Sequence, residues 1–151
     1  RKIAFAFLRK YFNEIAPQKA LEKSQEYLSE IEKCHDVRKT PSGLLYEIIR
    51  EGNLSRKAFK DTDQVRVMYE GKLKNGKIFD SSYERGEIIT FTLNQVVEGF
   101  SEGLKLIGEG GEIKLWIPSE LAYGSKAPKQ IGPNQALFFS IELIEVIPCE
   151  D

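Results

Sequence analysis

QVRVMYEGKLKNGKIFDSS, residues 64–82, holds two runs of alternating residues around an Asn-Gly pair. In the first run Val65, Val67 and Tyr69 fall on one face, and polar residues fall between them. That period of two is the pattern of a half-buried strand. Asn75-Gly76 follows it, and both residue types tolerate the positive φ that a tight hairpin demands. The second run begins at Ile78-Phe79 and carries Asp80 straight after the aromatic ring. An antiparallel hairpin with an acid beside an aromatic is therefore expected here.

The same period recurs on both sides. "LLYEIIREG", "IITFTL", "EIKLWIP" and "LFFSIELIEVI" all read as strands. One short helix interrupts them at about Val97 to Leu106. The plan is α+β: an antiparallel sheet with a helix covering its inner face. Leu137, Phe139, Ile141 and Leu143 share a face, as do Ile113, Leu115 and Ile117. With Val65, Val67 and Tyr69 they line an apolar concavity against Phe100 and Leu104. Trp116 and Phe138 are expected to point outward.

Before residue 38 the period is helical. Ile3, Phe7, Tyr11 and Ile15 recur every fourth residue, with Leu8 and Phe12 widening the stripe. Pro17 suits the first turn of a restarted helix, and Leu21, Ser24, Leu28 and Ile31 form a second stripe. "RKTPSGLL" (Arg38 to Leu45) breaks the helix and divides the chain into a helical arm, residues 1–37, and a strand-rich domain, residues 38–151. The aromatic stripe of the arm needs a cover. It could fold back over Trp116 and Phe138, or pair with the same stripe of a second chain. The charged stretch from Lys19 to Lys33 separates stripe from domain, which makes fold-back harder and, together with the resemblance given below, favours the homodimer.

Composition narrows the chemistry. A net charge of −1 gives no field that would favour nucleic acid. No apolar run reaches the ~20 residues that cross a bilayer. The chain opens on Arg1, so a processed or trimmed product is expected, with any targeting segment outside it. Cys34 and Cys149 could pair in an oxidising compartment; the simpler reading is two separate thiols. With one histidine, His35, they make no metal set, and no cofactor is implied. Cys34 and His35 are neighbours on a helix and do not face each other, which argues against a nucleophilic dyad. "GEGGE" (Gly108 to Glu112) follows a helix and precedes a strand, so it reads as a tight turn rather than a phosphate loop. Asp80 is left with two readings: a local backbone partner, or a polar group on the wall of an apolar pocket.

"VMYEGKLKNGKIFDSS", "VVEGFSEGLKLIGEGGEIKLWIPSELAYG" and "IGPNQALFFSIEL" together resemble the FKBP-type peptidyl-prolyl cis-trans isomerases, from about Pro41 to Ile147. "TPSGLLYEIIREG" and the helical extension resemble the bacterial macrophage-infectivity-potentiator-like branch. The resemblance implies a half-wrapped sheet around a short helix, with a proline pocket between them. Its catalytic positions fall on Asp80, Tyr123, Tyr69 and Phe139. Its substrate-binding positions fall on Phe79, Arg85, Val96, Val97, Phe100 and Ile131. The Val97 N–H and the Tyr123 hydroxyl are the expected holders of ligand carbonyls. Three departures should reshape the pocket: Phe100 stands where Trp is common, Ile89 replaces an aromatic wall position, and the loop Ser125 to Pro133 is one residue shorter. The family's partners are proline-containing polypeptides and the macrolides tacrolimus and rapamycin. Members of the branch dimerise through N-terminal helices and are exported to the periplasm or outer surface. Two functions remain open: an active isomerase that assists folding, or a non-catalytic binding module using the same pocket.

Overall fold

The computed structural model describes residues 9–10, 14–34 and 36–149. It opens with a 19-residue helix, α1 (Ala16–Cys34), and continues into strands β1 (Arg38–Lys39), β2 (Leu45–Arg50), β3 (Asn53–Lys57), β4 (Gln64–Leu73) and β5 (Ile78–Ser81). A short helix α2 (Ser82–Arg85) and strand β6 (Ile89–Thr92) lead to helix α3 (Glu98–Leu104). Strands β7 (Gly108–Glu109), β8 (Glu112–Ile117) and β9 (Leu137–Ile147) complete the order. Ile3, Phe7, Leu8, Tyr11 and Phe12, most of the expected dimer stripe, lie outside the described residues.

Seven strands form one antiparallel sheet in the order β1-β2-β8-β9-β4-β5, with β6 also paired to β4. The Asn-Gly hairpin joins β4 to β5, pairing Gly71 with Asp80. Between β4 and β9 the register slips by one residue, since Arg66 faces Glu145 but Val67 faces Leu143. Such a bulge bends a strand and adds twist. The bend lets the sheet curl round α3, which makes the fold the half-wrapped α+β architecture. β3 and β7 form a separate two-stranded ribbon.

The inner face is the core. Val65, Val67, Leu104, Ile113, Leu115, Ile117, Leu137, Ile141 and Leu143 are all fully buried. α3 lies close upon β8 because its facing residues have no side chain. A Cβ on Gly99 would come within 2.4 Å of Ile117 Cγ2, and one on Gly103 within 2.4 Å of Leu115 Cδ1. Larger residues there would lift the helix and open the floor of the concavity. Asp63, 4 % exposed, fastens the far end. Its carboxylate accepts the N–H groups of Phe59 and Lys60, both at 2.9 Å, and of Cys149 at 2.8 Å. Burial alone would push this acid up, but the three N–H donors outweigh it and hold it below the usual carboxylate range.

The outer face corrects one expectation. Trp116 and Phe138 do lie on it, with ring centroids 5.3 Å apart, but Trp116 is only 5 % exposed. Helix α1 supplies the cover. The Trp116 indole donates a hydrogen bond to Tyr27 of α1, and Ser24 of α1 bonds to the main chain of Asn134 and Ala136. The charged stretch from Lys19 to Lys33 is therefore not a spacer. It is itself the helix that docks on the sheet, and Leu21, Leu28 and Ile31 are half-buried along its length.

Candidate active site

β4 and β9 place Tyr69 and Phe139 on the inner face, and α3 brings Phe100 down against them. The three rings meet near right angles or tilted. Phe100 and Phe139 are T-shaped at 5.1 Å between centroids, Tyr69 and Phe100 T-shaped at 5.8 Å, and Tyr69 and Phe139 tilted at 6.4 Å. Phe79 of β5 closes one side, edge-on to Phe139 at 5.6 Å. Edge-to-face contacts of this kind add about 0.5–1.5 kcal/mol per pair beyond burial and fix ring orientation.

Gly71 makes the arrangement possible. A Cβ there would sit 2.5 Å from Phe79 Cζ and 2.8 Å from Phe139 Cε1. Both rings thus lie directly over the bare backbone of β4, where any side chain would displace them. No alternation or motif singled out this position, because a lone glycine in a strand reads as a weakness.

A cavity of about 180 Å³ opens among these rings. It is lined by Tyr69, Phe79, Asp80, Phe91, Gln95, Val96, Val97, Phe100, Tyr123 and Phe139. Eight of the ten residues named from the sequence line it together; Arg85 and Ile131 do not. Arg85 stands behind Asp80, and Ile131, 7 % exposed, packs into the core beneath the loop. Phe91 and Gln95 were not named from the sequence. Phe91 belongs to the alternating run of β6, and its ring lies 5.8 Å from Tyr69 and 6.1 Å from Phe100. That spacing supplies an aromatic wall beside the aliphatic Ile89.

One wall is polar. The Tyr69 hydroxyl donates to Asp80 Oδ2, and Arg85 Nη1 donates to Asp80 Oδ1 at 2.5 Å. The sequence provides this locally. Ser81 caps α2 by accepting the Glu84 N–H, and Gly86 ends it at φ 66, so a single turn brings Arg85 back to Asp80. Ser82, fully buried, accepts the Tyr69 N–H at 2.8 Å and fixes β4 from the other side. Burial would raise the Asp80 carboxyl, but the hydrogen bonds from Tyr69 and Arg85, with the guanidinium charge, hold it below the usual range. Burial and then the Asp80 acceptor push the Tyr69 phenol up to about 12. At neutral pH the wall therefore presents an ionised carboxylate whose two oxygens are already engaged, and a phenol that keeps its proton.

Val97 and Tyr123 also line the cavity. Val97 is the N-cap of α3 with extended φ −61 and ψ 151, so its N–H precedes the helix and is not used by the helical ladder. Tyr123 is 41 % exposed at the edge of that lining. Among the described residues no group of His, Cys, Asp or Glu is placed to hold a metal ion, and no helix is long and apolar enough to cross a membrane. An apolar, ring-lined cavity can bind an extended chain, and its lining holds no Ser, Thr, Cys, Lys or His, while the Asp80 carboxylate is engaged by Tyr69 and Arg85.

Comparison with known proteins agrees with this geometry. The chain is 44 % identical over 132 residues to a probable FKBP-type peptidyl-prolyl cis-trans isomerase of Haemophilus influenzae, covering 87 % of this chain and 54 % of that protein. It is 45 % identical over 126 residues to FkpA of Escherichia coli K12, covering 83 % of this chain and 46 % of FkpA. The chain thus spans about half the length of the curated relatives it matches. The crystal structure of FkpA from Escherichia coli superposes with a TM-score of 0.84 at 39 % identity, covering 99 % of this chain and 72 % of that one. That of AtFKBP13 superposes at 0.66 and 35 % identity, covering 73 % of this chain and 98 % of that one. Residues 55–144 match the family described as FKBP-type peptidyl-prolyl cis-trans isomerase, and with these relatives they establish that the chain belongs to it.

Proposed function

We propose that the protein accelerates cis–trans isomerisation of Xaa-Pro bonds in polypeptide substrates, acting as a folding helper. The observation that carries this reading is the cavity of Tyr69, Phe79, Phe100 and Phe139 with a single anchored carboxylate in its wall.

The chemistry needs no covalent step. Rotation about a peptide bond meets a barrier of ~18–20 kcal/mol because the C–N bond has double-bond character. Before proline the two isomers are close in energy, and uncatalysed exchange takes about tens to hundreds of seconds. In the twisted transition state amide resonance is lost, so the carbonyl is less polar than in the planar amide. An apolar site binds that state better than it binds a planar amide that water would solvate. The prolyl ring enters over Phe139 and Phe100. Val97 N–H and the Tyr123 hydroxyl hold flanking carbonyls and so fix the strand while the bond turns. Val96 and Phe79 shape the walls. Arg85 and Tyr69 keep Asp80 ionised and in place at the wall. Ile131 anchors the loop from beneath.

The domain division at residues 37 and 38 belongs to the same reading, with the arm's stripe pairing in a homodimer and a periplasmic or outer-surface location. A protease-coupled assay on a proline peptide, with and without tacrolimus or rapamycin, tests the proposal. Turnover that the macrolide blocks supports it. Macrolide binding without turnover would replace it with a binding module.

A further inference from the structure

Ser24 lies in the middle of a charged helix, yet it is 1 % exposed. Its Oγ donates to the carbonyl of Asn134 at 2.6 Å and accepts the N–H of Ala136 at 3.0 Å. The carboxamide of Asn134 donates back to the carbonyl of Pro17, two turns earlier in the same helix, at 2.9 Å. Helix and loop are thus joined by three hydrogen bonds, two of them through one hydroxyl. Removing that hydroxyl would leave a buried N–H and a carbonyl without it, the expensive way to lose a hydrogen bond.

Asn134 has φ 55, in the left-handed region. Asn tolerates it better than most residues, but such a backbone persists where its surroundings over-determine it. Here the surroundings include one more bond, from the Asn134 N–H to the carbonyl of Gly124 at 2.8 Å. That bond closes the base of the loop that spans residues 124–134. On one side of the base, directly before Gly124, is Tyr123; on the other the chain enters β9 and reaches Phe139. Neither Ser24 nor Asn134 lines the cavity.

We infer that α1 is a positioning element for the pocket: Ser24 and Asn134 set the base of the 124–134 loop, and through it the place of Tyr123. This rests on the isomerase reading above. The docked helix then does more than cover Trp116. Through the base of the loop it sets where the half-exposed Tyr123 presents its hydroxyl to a substrate carbonyl. Because that hydroxyl contributes to ground-state and transition-state binding alike, its misplacement is felt chiefly in KM.

The test compares the full chain with Ser24→Ala, Ser24→Thr, Tyr123→Phe and the Ser24→Ala/Tyr123→Phe double variant. Steady-state turnover of a proline peptide is measured at a temperature where circular dichroism shows each folded, alongside amide exchange at Asn134. Ser24→Ala should lower kcat/KM about tenfold, carried by KM. Ser24→Thr should restore most of it. The double variant should lose little beyond Tyr123→Phe, since both act on one hydroxyl. Unchanged kcat/KM in folded Ser24→Ala, or a loss that adds in full to that of Tyr123→Phe, overturns the inference. Should Ser24→Ala not fold, Asn134→Gly keeps the backbone conformation and removes the Pro17 bond, and the same comparison decides. If the unaltered chain turns over no peptide, the isomerase reading fails by itself. Exchange at Asn134 then judges the clamp: faster exchange in Ser24→Ala upholds it, and unchanged exchange overturns it.

Discussion

Gly71→Ala is the smallest change that reaches the pocket from behind. The new methyl would lie 2.5 Å from Phe79 Cζ and 2.8 Å from Phe139 Cε1. Carbon atoms in contact sit about 3.5–4.0 Å apart, so the rings must retreat by about 1 Å. Phe79 is half-buried and can swing its far end outward. Phe139 is 6 % exposed and held edge-on by Phe100 and Phe79, so it yields less easily. Either movement reshapes the cavity. Overpacking of this kind costs about 1–3 kcal/mol, which lowers Tm by about 2–4 °C per kcal/mol for a chain of this size. Activity should suffer more, because a shift of about 1 Å in a positioning surface can cost on the order of 100-fold. Gly76→Ala is the matched control. It has nothing within 4 Å of the added Cβ, but its φ of +87 makes alanine strained, costing about 1–2 kcal/mol with no effect on the rings. Thermal melts and kcat/KM on a proline peptide are measured for both. Similar losses of Tm with a large loss of kcat/KM in Gly71→Ala alone is the expected result. If Gly71→Ala turned over peptide as fast as Gly76→Ala, the two rings would not set the catalytic geometry and the reasoning would be refuted.

Phe139→Ala should cost about 3–5 kcal/mol and abolish turnover, because the ring is buried and central to the cluster; melts and kcat/KM check both. Asp80→Leu should lower kcat/KM while leaving a folded protein, and full turnover would reduce Asp80 to a local structural partner. The pH profile should be flat from about pH 5 to pH 8. Asp80 is depressed, so its contribution is complete above the ordinary carboxylate value of about 3.9 and is lost only as pH falls through its own lower value. Tyr69, pushed up to about 12, keeps its proton until strongly alkaline pH. An inflection in kcat/KM near neutrality would point to another titrating group. Deleting residues 1–15, which leaves α1 intact, should give a monomer by light scattering that still turns over short peptides but refolds protein clients less well. An untruncated chain that is monomeric at tens of micromolar protein would contradict the dimer.

The parts of the fold that were legible in the sequence are those where one face alternates cleanly with the other. Val65, Val67 and Tyr69, and Leu137 to Leu143, declared their strands and their inner face by period alone, and Asn75-Gly76 declared the hairpin. The ribbon of β3 and β7 was not legible. "NLSRK" is polar and mostly exposed, and its pairing depends on Gly108, where a Cβ would meet Asn53 O at 1.9 Å. The docking of α1 was hidden for a similar reason. Its stripe of Leu21, Ser24, Leu28 and Ile31 was legible, but not the face it meets, because the contact is fixed by the hydroxyl of Ser24 and the left-handed backbone of Asn134, which no apolar period announces. In the pocket, Asp80 stood out by its place beside an aromatic ring, whereas Tyr123, Phe79 and Phe139 were named as pocket residues through the resemblance to the FKBP-type isomerases. Gly71 acts by lacking a side chain. Phe91 sits in a strand whose inward face the pattern did not separate from its outward one. Both became visible only once β4, β6 and β9 were in register.

The central claim is that this pocket lowers the rotational barrier and does not merely hold proline chains. NMR exchange spectroscopy on a short Xaa-Pro peptide, with a catalytic amount of the full chain, measures this directly. The account predicts cis-to-trans and trans-to-cis rates that rise by the same factor, with the cis:trans ratio unchanged, and no acceleration with Phe139→Ala. Exchange rates that stay at the uncatalysed value at micromolar protein, with or without a shift of the ratio toward one bound isomer, would contradict it.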